Sequence, residues 1–309
     1  MKYYMGPDTW DVMVGDLRAA GHVRVESLRE AEVFINNSYL PGEIPELPEN
    51  IKFVQHCYAG VNQFIEAKVI RPGGVPWCNA AGAFAQPVAE TALALLLSQA
   101  HQHKAFALAA DWAARRRVDE AQAWLYSPRE PKTVAIVGAG GIGRELIRLL
   151  EPFHCRIIAV NRSGREVPGA DETYPMSEAG HVWPEADFIV SILPLTEETT
   201  GILGTDFFAA MKPSALFINV GRGAVVDTGA LVVALESGQI AGAALDVMDP
   251  EPLPAGHPLY SLPNCTLTPH IGASDFVAEM HMGAVFNANA EAFAAGEPMP
   301  TLVNPEAGY

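Results

Sequence analysis

Short apolar runs separated by helical spacing organise the first hundred residues: VRVES (23–27), AEVFINN (31–37), IKFVQHCYAGV (51–61) and VPWCN (75–79), each bounded by glycine, proline or asparagine. Runs of this kind predict buried strands, and their alternation with helices predicts a small parallel α/β unit. Residues 86–117 then change character. They are rich in alanine and leucine, with no proline after Pro87, and predict one long helix whose proline suits the first turn. The stretch LYSPREPKT (125–133), with its two prolines, reads as a linker into a second domain.

Beyond the linker the pattern predicts strand TVAIVG (133–138), helix IGRELIRLLEPF (142–153), strands RIIAVN (156–161) and ADFIVSILP (186–194), and a helix near TDFFAAM (205–211). Strand ALFINVG (215–221), helix GALVVALESG (229–238) and strands GAALDV (242–247) and NCTLTPH (264–270) follow. Apolar strands spaced by helices of this length point to a parallel sheet covered on both faces. A last helix is predicted over 275–296. No fixed-period repeat or low-complexity tract interrupts the pattern.

The length, 309 residues, is about twice that of a common single domain and leads to the expectation of two. Acidic side chains outnumber basic ones by 36 to 20, and the resulting charge of −16 repels nucleic acids and anionic membranes, leaving small molecules or other proteins as partners. Arg115, Arg116 and Arg117 form the one dense basic cluster, which a solvated helix face explains. No secretory signal and no apolar run long enough for a bilayer is visible, so the expected location is cytoplasmic. Cys57, Cys78, Cys155 and Cys265 are scattered without a CxxC pair, and His101 and His103, two apart on the predicted helix, point in different directions; neither set suggests a metal.

Gly138, Gly140 and Gly143 form a G-x-G-x-x-G pattern. The pattern alone is weak, but a β-branched strand enters it and a helix leaves it. That context puts Gly138, Gly140, Gly141, Ile142 and Gly143 where backbone amides could hold a pyrophosphate. Gly140 would let the backbone approach the phosphates and Gly143 would allow close packing of helix on strand. The following strand ends at Asn161, where NAD sites normally carry an acidic residue for the ribose hydroxyls. Arg162, Ser163 and Arg165 come next and offer donors suited to a 2′-phosphate, which favours NADP(H) and leaves NAD(H) open.

Three further stretches lie at or just beyond predicted strand ends, the edge where open α/β sheets bind ligands: INVGRGAVVD around Arg222, LDVMDPEPLP around Glu251, and LTPHIG around His270. With CYAGVN (57–62), NAAGAFAQPVAETALALL (79–96) and SILPLTEETTGIL (191–203), they make the chain resemble the D-isomer-specific 2-hydroxyacid dehydrogenases over nearly its whole length. The resemblance implies a Rossmann coenzyme domain (99–275) inserted into a flavodoxin-like substrate domain (1–98 and 276–309), both with parallel sheets, and a homodimer formed through the coenzyme domain and the long helix. It implies His270 as the general acid in reduction, Glu251 as its carboxylate partner, and Arg222 as the cation for substrate carboxylate and 2-oxo group. The amides of Tyr58, Ala59 and Gly60 would clasp the carboxylate. Coenzyme contacts would also come from Pro194, Thr199, Val220, Gly221, His270 and Gly272, with Asp246 orienting the nicotinamide carboxamide.

Reduction of a 2-oxo acid needs a hydride donor, a proton for the alkoxide and a cation for the carboxylate, and these residues match that need. The implied activity is NAD(P)-dependent interconversion of a small 2-oxo acid, such as glyoxylate or hydroxypyruvate, with its D-2-hydroxy acid. Two alternatives stand beside it: a D-3-phosphoglycerate dehydrogenase-like enzyme, and a nucleotide-sensing corepressor-like protein. Departures from the family pattern are Ser191, where many relatives carry histidine near the adenosine, and Phe84, where a small polar residue is common. Glu251 in place of glutamine argues against formate as substrate.

Overall fold

The computed structural model describes residues 1–307. The chain forms two compact units, Met1–Phe84 with the segment from Ala273 onward, and Ala85–Gly272. The first unit contains β1 (Lys2–Gly6), α1 (Asp11–Ala19), β2 (Val23–Arg24), β3 (Val33–Asn36), β4 (Phe53–His56), α2 (Asn62–Glu66) and β5 (Trp77–Cys78). These strands pair in parallel in the order β2-β1-β3-β4-β5. β1, absent from the sequence reading, begins with a lysine and two tyrosines and shows no apolar run; pairing with β3 makes it a strand, and Tyr3 and Met5 are buried.

The second unit opens with three helices, α3 (Ala85–Ala100), α4 (His103–Ala109) and α5 (Arg115–Glu120). The expected single helix over 86–117 is therefore broken, and the reason is tertiary. Gln102 and Ala110 adopt left-handed backbone, with φ of 56° and 48°. The returning chain caps the end of α3: the Ala123 amide donates to the Ala100 carbonyl at 2.9 Å, and Gln122 meets His101 at 3.2 Å. The break also changes the two histidines, whose rings lie 6.1 Å apart and nearly parallel instead of diverging.

There follow β6 (Thr133–Val137), α6 (Gly141–Leu150), β7 (Arg156–Asn161), β8 (Glu172–Pro175), β9 (Phe188–Ser191), α7 (Thr205–Ala210), β10 (Leu216–Asn219), α8 (Thr228–Glu236), β11 (Gly242–Leu245), α9 (Pro258–Ser261) and β12 (Cys265–Leu267). The strands form a parallel seven-stranded sheet in the order β12-β11-β10-β9-β6-β7-β8. From β6 the chain builds outward to β8 and then crosses back to β9, so the order reverses beside β6, the position at which such sheets take ligands. One face buries Phe207, Phe208, Phe217 and Leu231; the other buries Leu95, Leu96, Leu146 and Ile147. β8 (ETYP), half-buried throughout, lacked the apolar run that a sequence reading needs.

The last element, α10 (Asp275–Ala295), belongs to the first unit and packs on α1. The units meet in sequence at 84/85 and 272/273, where the sequence reading drew 98/99 and 275/276. The larger offset has a physical cause: α3 packs on α6 and on β10 and β11, so from Val88 to Ala100 it shares the core of the second unit.

Candidate active site

Arg222, Glu251 and His270 follow β10, β11 and β12, three adjacent strands, and so emerge on one edge of one sheet. His270 Nδ1 lies 2.5 Å from Glu251 Oε1, and both side chains keep solvent access. The other oxygen of Glu251 accepts from the Met248 amide at 3.3 Å. Arg222 is half-buried, and its Nη1 donates to the Gly221 carbonyl at 2.8 Å. Burial pushes its guanidinium below the ordinary value, and the Glu251 carboxylate opposes the shift. The sheet thus gathers an imidazole, the carboxylate that fixes its tautomer, and a partly desolvated cation.

The two loops are held differently. Around Arg222 the backbone itself is clamped. A Cβ on Gly221 would stand 2.6 Å from the Leu193 carbonyl oxygen, and one on Gly223 would overlap the Met248 carbonyl. Asn219 closes this turn, accepting from the Gly221 amide at 3.1 Å and donating to the Arg222 carbonyl at 3.0 Å. His270 sits in left-handed backbone, φ 54°, a conformation costing a non-glycine residue about 1 kcal/mol or more.

What holds it there is Asp246, 2 % exposed, whose carboxylate accepts from Thr268 Oγ1 at 2.6 Å, from the Ile271 amide at 2.9 Å and from the Gly272 amide at 2.8 Å. Its carbonyl also takes the His270 amide at 2.8 Å. The sequence reading gave Asp246 only a coenzyme contact and missed this organising role, as it missed Gly223, Asn219 and Thr268. An aspartate ending a strand, followed by Thr-x-His on the neighbouring strand, was the available signal.

At the glycine turn each position has its own explanation. Gly138 has φ 90°, and a Cβ there would lie 2.8 Å from the Ile192 backbone. Gly143 faces Ala139 and Ile136 at 3.3 Å, so it brings α6 close to β6. Gly140 is different, since the nearest protein atom to a Cβ there is 3.9 Å away and internal packing makes no demand for glycine. Room beside Gly140, next to the N-terminal amides of α6, Gly141, Ile142 and Gly143 among them, suits a pyrophosphate. The residues present therefore suit a dinucleotide.

At the end of β7, Asn161 Nδ2 donates to the Arg165 carbonyl at 2.7 Å, and its Oδ1 accepts from the Ser163 amide at 3.1 Å. Asn161 thus shapes an exposed turn that carries Arg162, Ser163 and Arg165. No carboxylate pairs with either arginine among the described residues. Thr199 donates to the Pro194 carbonyl at 2.7 Å, closing the loop after β9, and Val220 is buried beside Gly221. Ser191 is fully buried within β9, which makes an adenosine contact there untenable.

Tyr58, Ala59 and Gly60 lie in the first unit, in the turn between β4 and α2. Their three amides find no acceptor among the described residues, while two of their carbonyls are engaged: Asn79 Nδ2 donates to Ala59 at 2.9 Å and the Ala80 amide to Tyr58 at 3.0 Å. Successive backbone amides without an internal acceptor are donors available to an anion. Phe84 packs into the core of the same unit.

Residues 91–272 match the family model described as D-isomer specific 2-hydroxyacid dehydrogenase, NAD binding domain. An uncharacterised protein of Corynebacterium melassecola is 46 % identical over 309 residues, all of both chains. A glyoxylate reductase of Pyrococcus furiosus is 32 % identical over 290 residues, 91 % of this chain and 85 % of that one. Among solved structures, a D-isomer specific 2-hydroxyacid dehydrogenase from Xanthobacter autotrophicus Py2, in complex with NADPH and MES, superposes with a TM-score of 0.80 at 25 % identity, covering 100 % of this chain and 99 % of the other.

Proposed function

The chain belongs to the D-isomer-specific 2-hydroxyacid dehydrogenases, NAD(P)-dependent oxidoreductases, and from that premise we propose that it reduces a small 2-oxo acid of the glyoxylate or hydroxypyruvate kind, with NADPH preferred to NADH. The observation that carries the reading is the His270–Glu251 pair at 2.5 Å beside the Arg222 turn. Bound at the 138–143 turn, the coenzyme supplies the hydride. Because Glu251 occupies Nδ1, His270 presents Nε2 as the atom that gives a proton to the substrate oxygen and takes it back in the reverse direction.

Arg222 pairs with the carboxylate and polarises the 2-oxo group, and its partial burial strengthens that attraction. The amides of Tyr58, Ala59 and Gly60 are assigned to the same carboxylate. Asp246 holds the His270 loop and is assigned the nicotinamide carboxamide; Pro194, Thr199, Val220, Gly221 and Gly272 are assigned to the coenzyme's surroundings. The unpaired Arg162 and Arg165 and the hydroxyl of Ser163 support NADPH, as does the NADPH bound by the Xanthobacter protein.

The reading includes a homodimer and a cytoplasmic location. Phe106, Leu108 and Trp112 in the broken helical segment, and Trp124 and Tyr126 in the stretch after it, expose apolar side chains that suit association. No helix among the described residues is long and apolar enough to cross a membrane, and all four cysteines are free. A panel of 2-oxo acids, assayed with NADPH and NADH in parallel, tests the function. Turnover of glyoxylate or hydroxypyruvate, faster with NADPH, is expected; tight coenzyme binding with no acid reduced would overturn it in favour of a nucleotide sensor.

A further inference from the structure

In the first unit two phenols converge on one carboxylate oxygen. Tyr58 donates to Asp275 Oδ1 at 3.1 Å and Tyr39 to the same atom at 3.4 Å. Their rings stack 3.6 Å apart at 24°, and Trp10 and His56 meet the Tyr58 ring edge-on. Burial pushes the Tyr39 phenol up to about 12, and burial followed by the neighbouring phenol pushes Tyr58 higher still, so both stay protonated and act as donors at neutral pH. Asp275 opens α10, whose cap is the Ser274 hydroxyl, accepting from the Val277 amide at 3.4 Å, so the cap is Ser274 and the Asp275 carboxylate meets the phenols.

The geometry matters because of what Tyr58 carries. Its side chain is tied to Asp275, its carbonyl to Ala80, and the next carbonyl to Asn79, while the amides of 58–60 have no acceptor among the described residues. The turn is therefore held through the Tyr58 side chain and the Tyr58 and Ala59 carbonyls, and not through the three amides it presents. We infer that Asp275 is a positioning residue: through Tyr58, and with Tyr39 stacked as a brace, it sets the direction of the Tyr58–Gly60 amides toward the substrate carboxylate. This rests on the reductase reading for the identity of the anion, but the mechanical part does not.

Two measurements separate the parts. Hydrogen exchange at the Ala80 amide, which bonds the Tyr58 carbonyl, reports the hold on the turn without any substrate. Asp275→Ala and Tyr58→Phe should each speed that exchange, while Asp275→Asn, which keeps an acceptor but loses the charge at the helix start, should not. In the kinetics, Asp275→Ala should raise KM for the 2-oxo acid about tenfold with kcat and the coenzyme KM changed less than about twofold, and the Asp275→Ala/Tyr58→Phe double variant should be no worse than either single one. Unchanged exchange in both single variants would overturn the inference whatever the activity. Faster exchange with an unaltered KM in an active enzyme would overturn the link to substrate and leave the reductase reading standing. A wild-type protein inactive on every acid would remove that reading, and an exchange effect would then leave Asp275 as the hold on a turn for some other anion.

Discussion

Two parts of one sheet edge are built to different standards. At β10 to β12, the Arg222 turn is clamped by Gly221 against the Leu193 backbone and Gly223 against that of Met248, and His270 is kept in left-handed backbone by a buried carboxylate with three donors. At β7, the turn of Asn161 to Arg165 is exposed and is organised mainly by one asparagine side chain. The contrast follows from the tasks assigned. Proton transfer and charge stabilisation need atoms placed to a fraction of an ångström, whereas choosing between two coenzymes needs a positive charge within reach of a phosphate.

The largest expected effect comes from Gly223→Ala, which forces a methyl group onto the Met248 carbonyl. Destabilisation of about 3 kcal/mol, at the upper end for overpacking, is expected in thermal unfolding. A fall in kcat of about a hundredfold should accompany it as Arg222 and Glu251 move apart. A fully active, stable variant would show that this end of the edge is as tolerant as the other.

Asp246→Asn comes next. One carboxylate oxygen becomes an amide facing donors, so the loop loses a charge-assisted acceptor: stability should drop by about 2 kcal/mol, and kcat about tenfold as His270 leaves its strained backbone. Wild-type unfolding and turnover would mean that the loop is held by something other than this carboxylate. The smallest effect on the protein itself is expected from Arg162→Ala. Stability should stay within about 0.5 kcal/mol, as for an exposed surface change. The KM for NADPH should rise about tenfold with that for NADH nearly unchanged, and an equal change in both would refute the assignment of the turn.

Much of the second unit was legible because its strands are apolar runs bounded by glycines: TVAIV, RIIAVN, LFIN and GAAL all became strands, and the glycine pattern after β6 became a turn into a helix. The three residues picked from separate loops lie just beyond three strands that the sheet places side by side. β1 and β8 were missed because they are strands by partnership rather than by composition, and the helix over 86–117 was overextended because alanine and leucine favour helix until a distant chain caps it.

The chain's own order of residues determined the α/β class, the dinucleotide turn and the chemistry available to the site, since local periodicity, glycine placement and side-chain type are properties of short segments. Only the tertiary structure decided where α3 ends, that Asp246 serves His270, and that Tyr39, Tyr58 and Asp275 share one oxygen. Those features depend on contacts between residues up to 236 positions apart, and such contacts exist only after the sheets have closed.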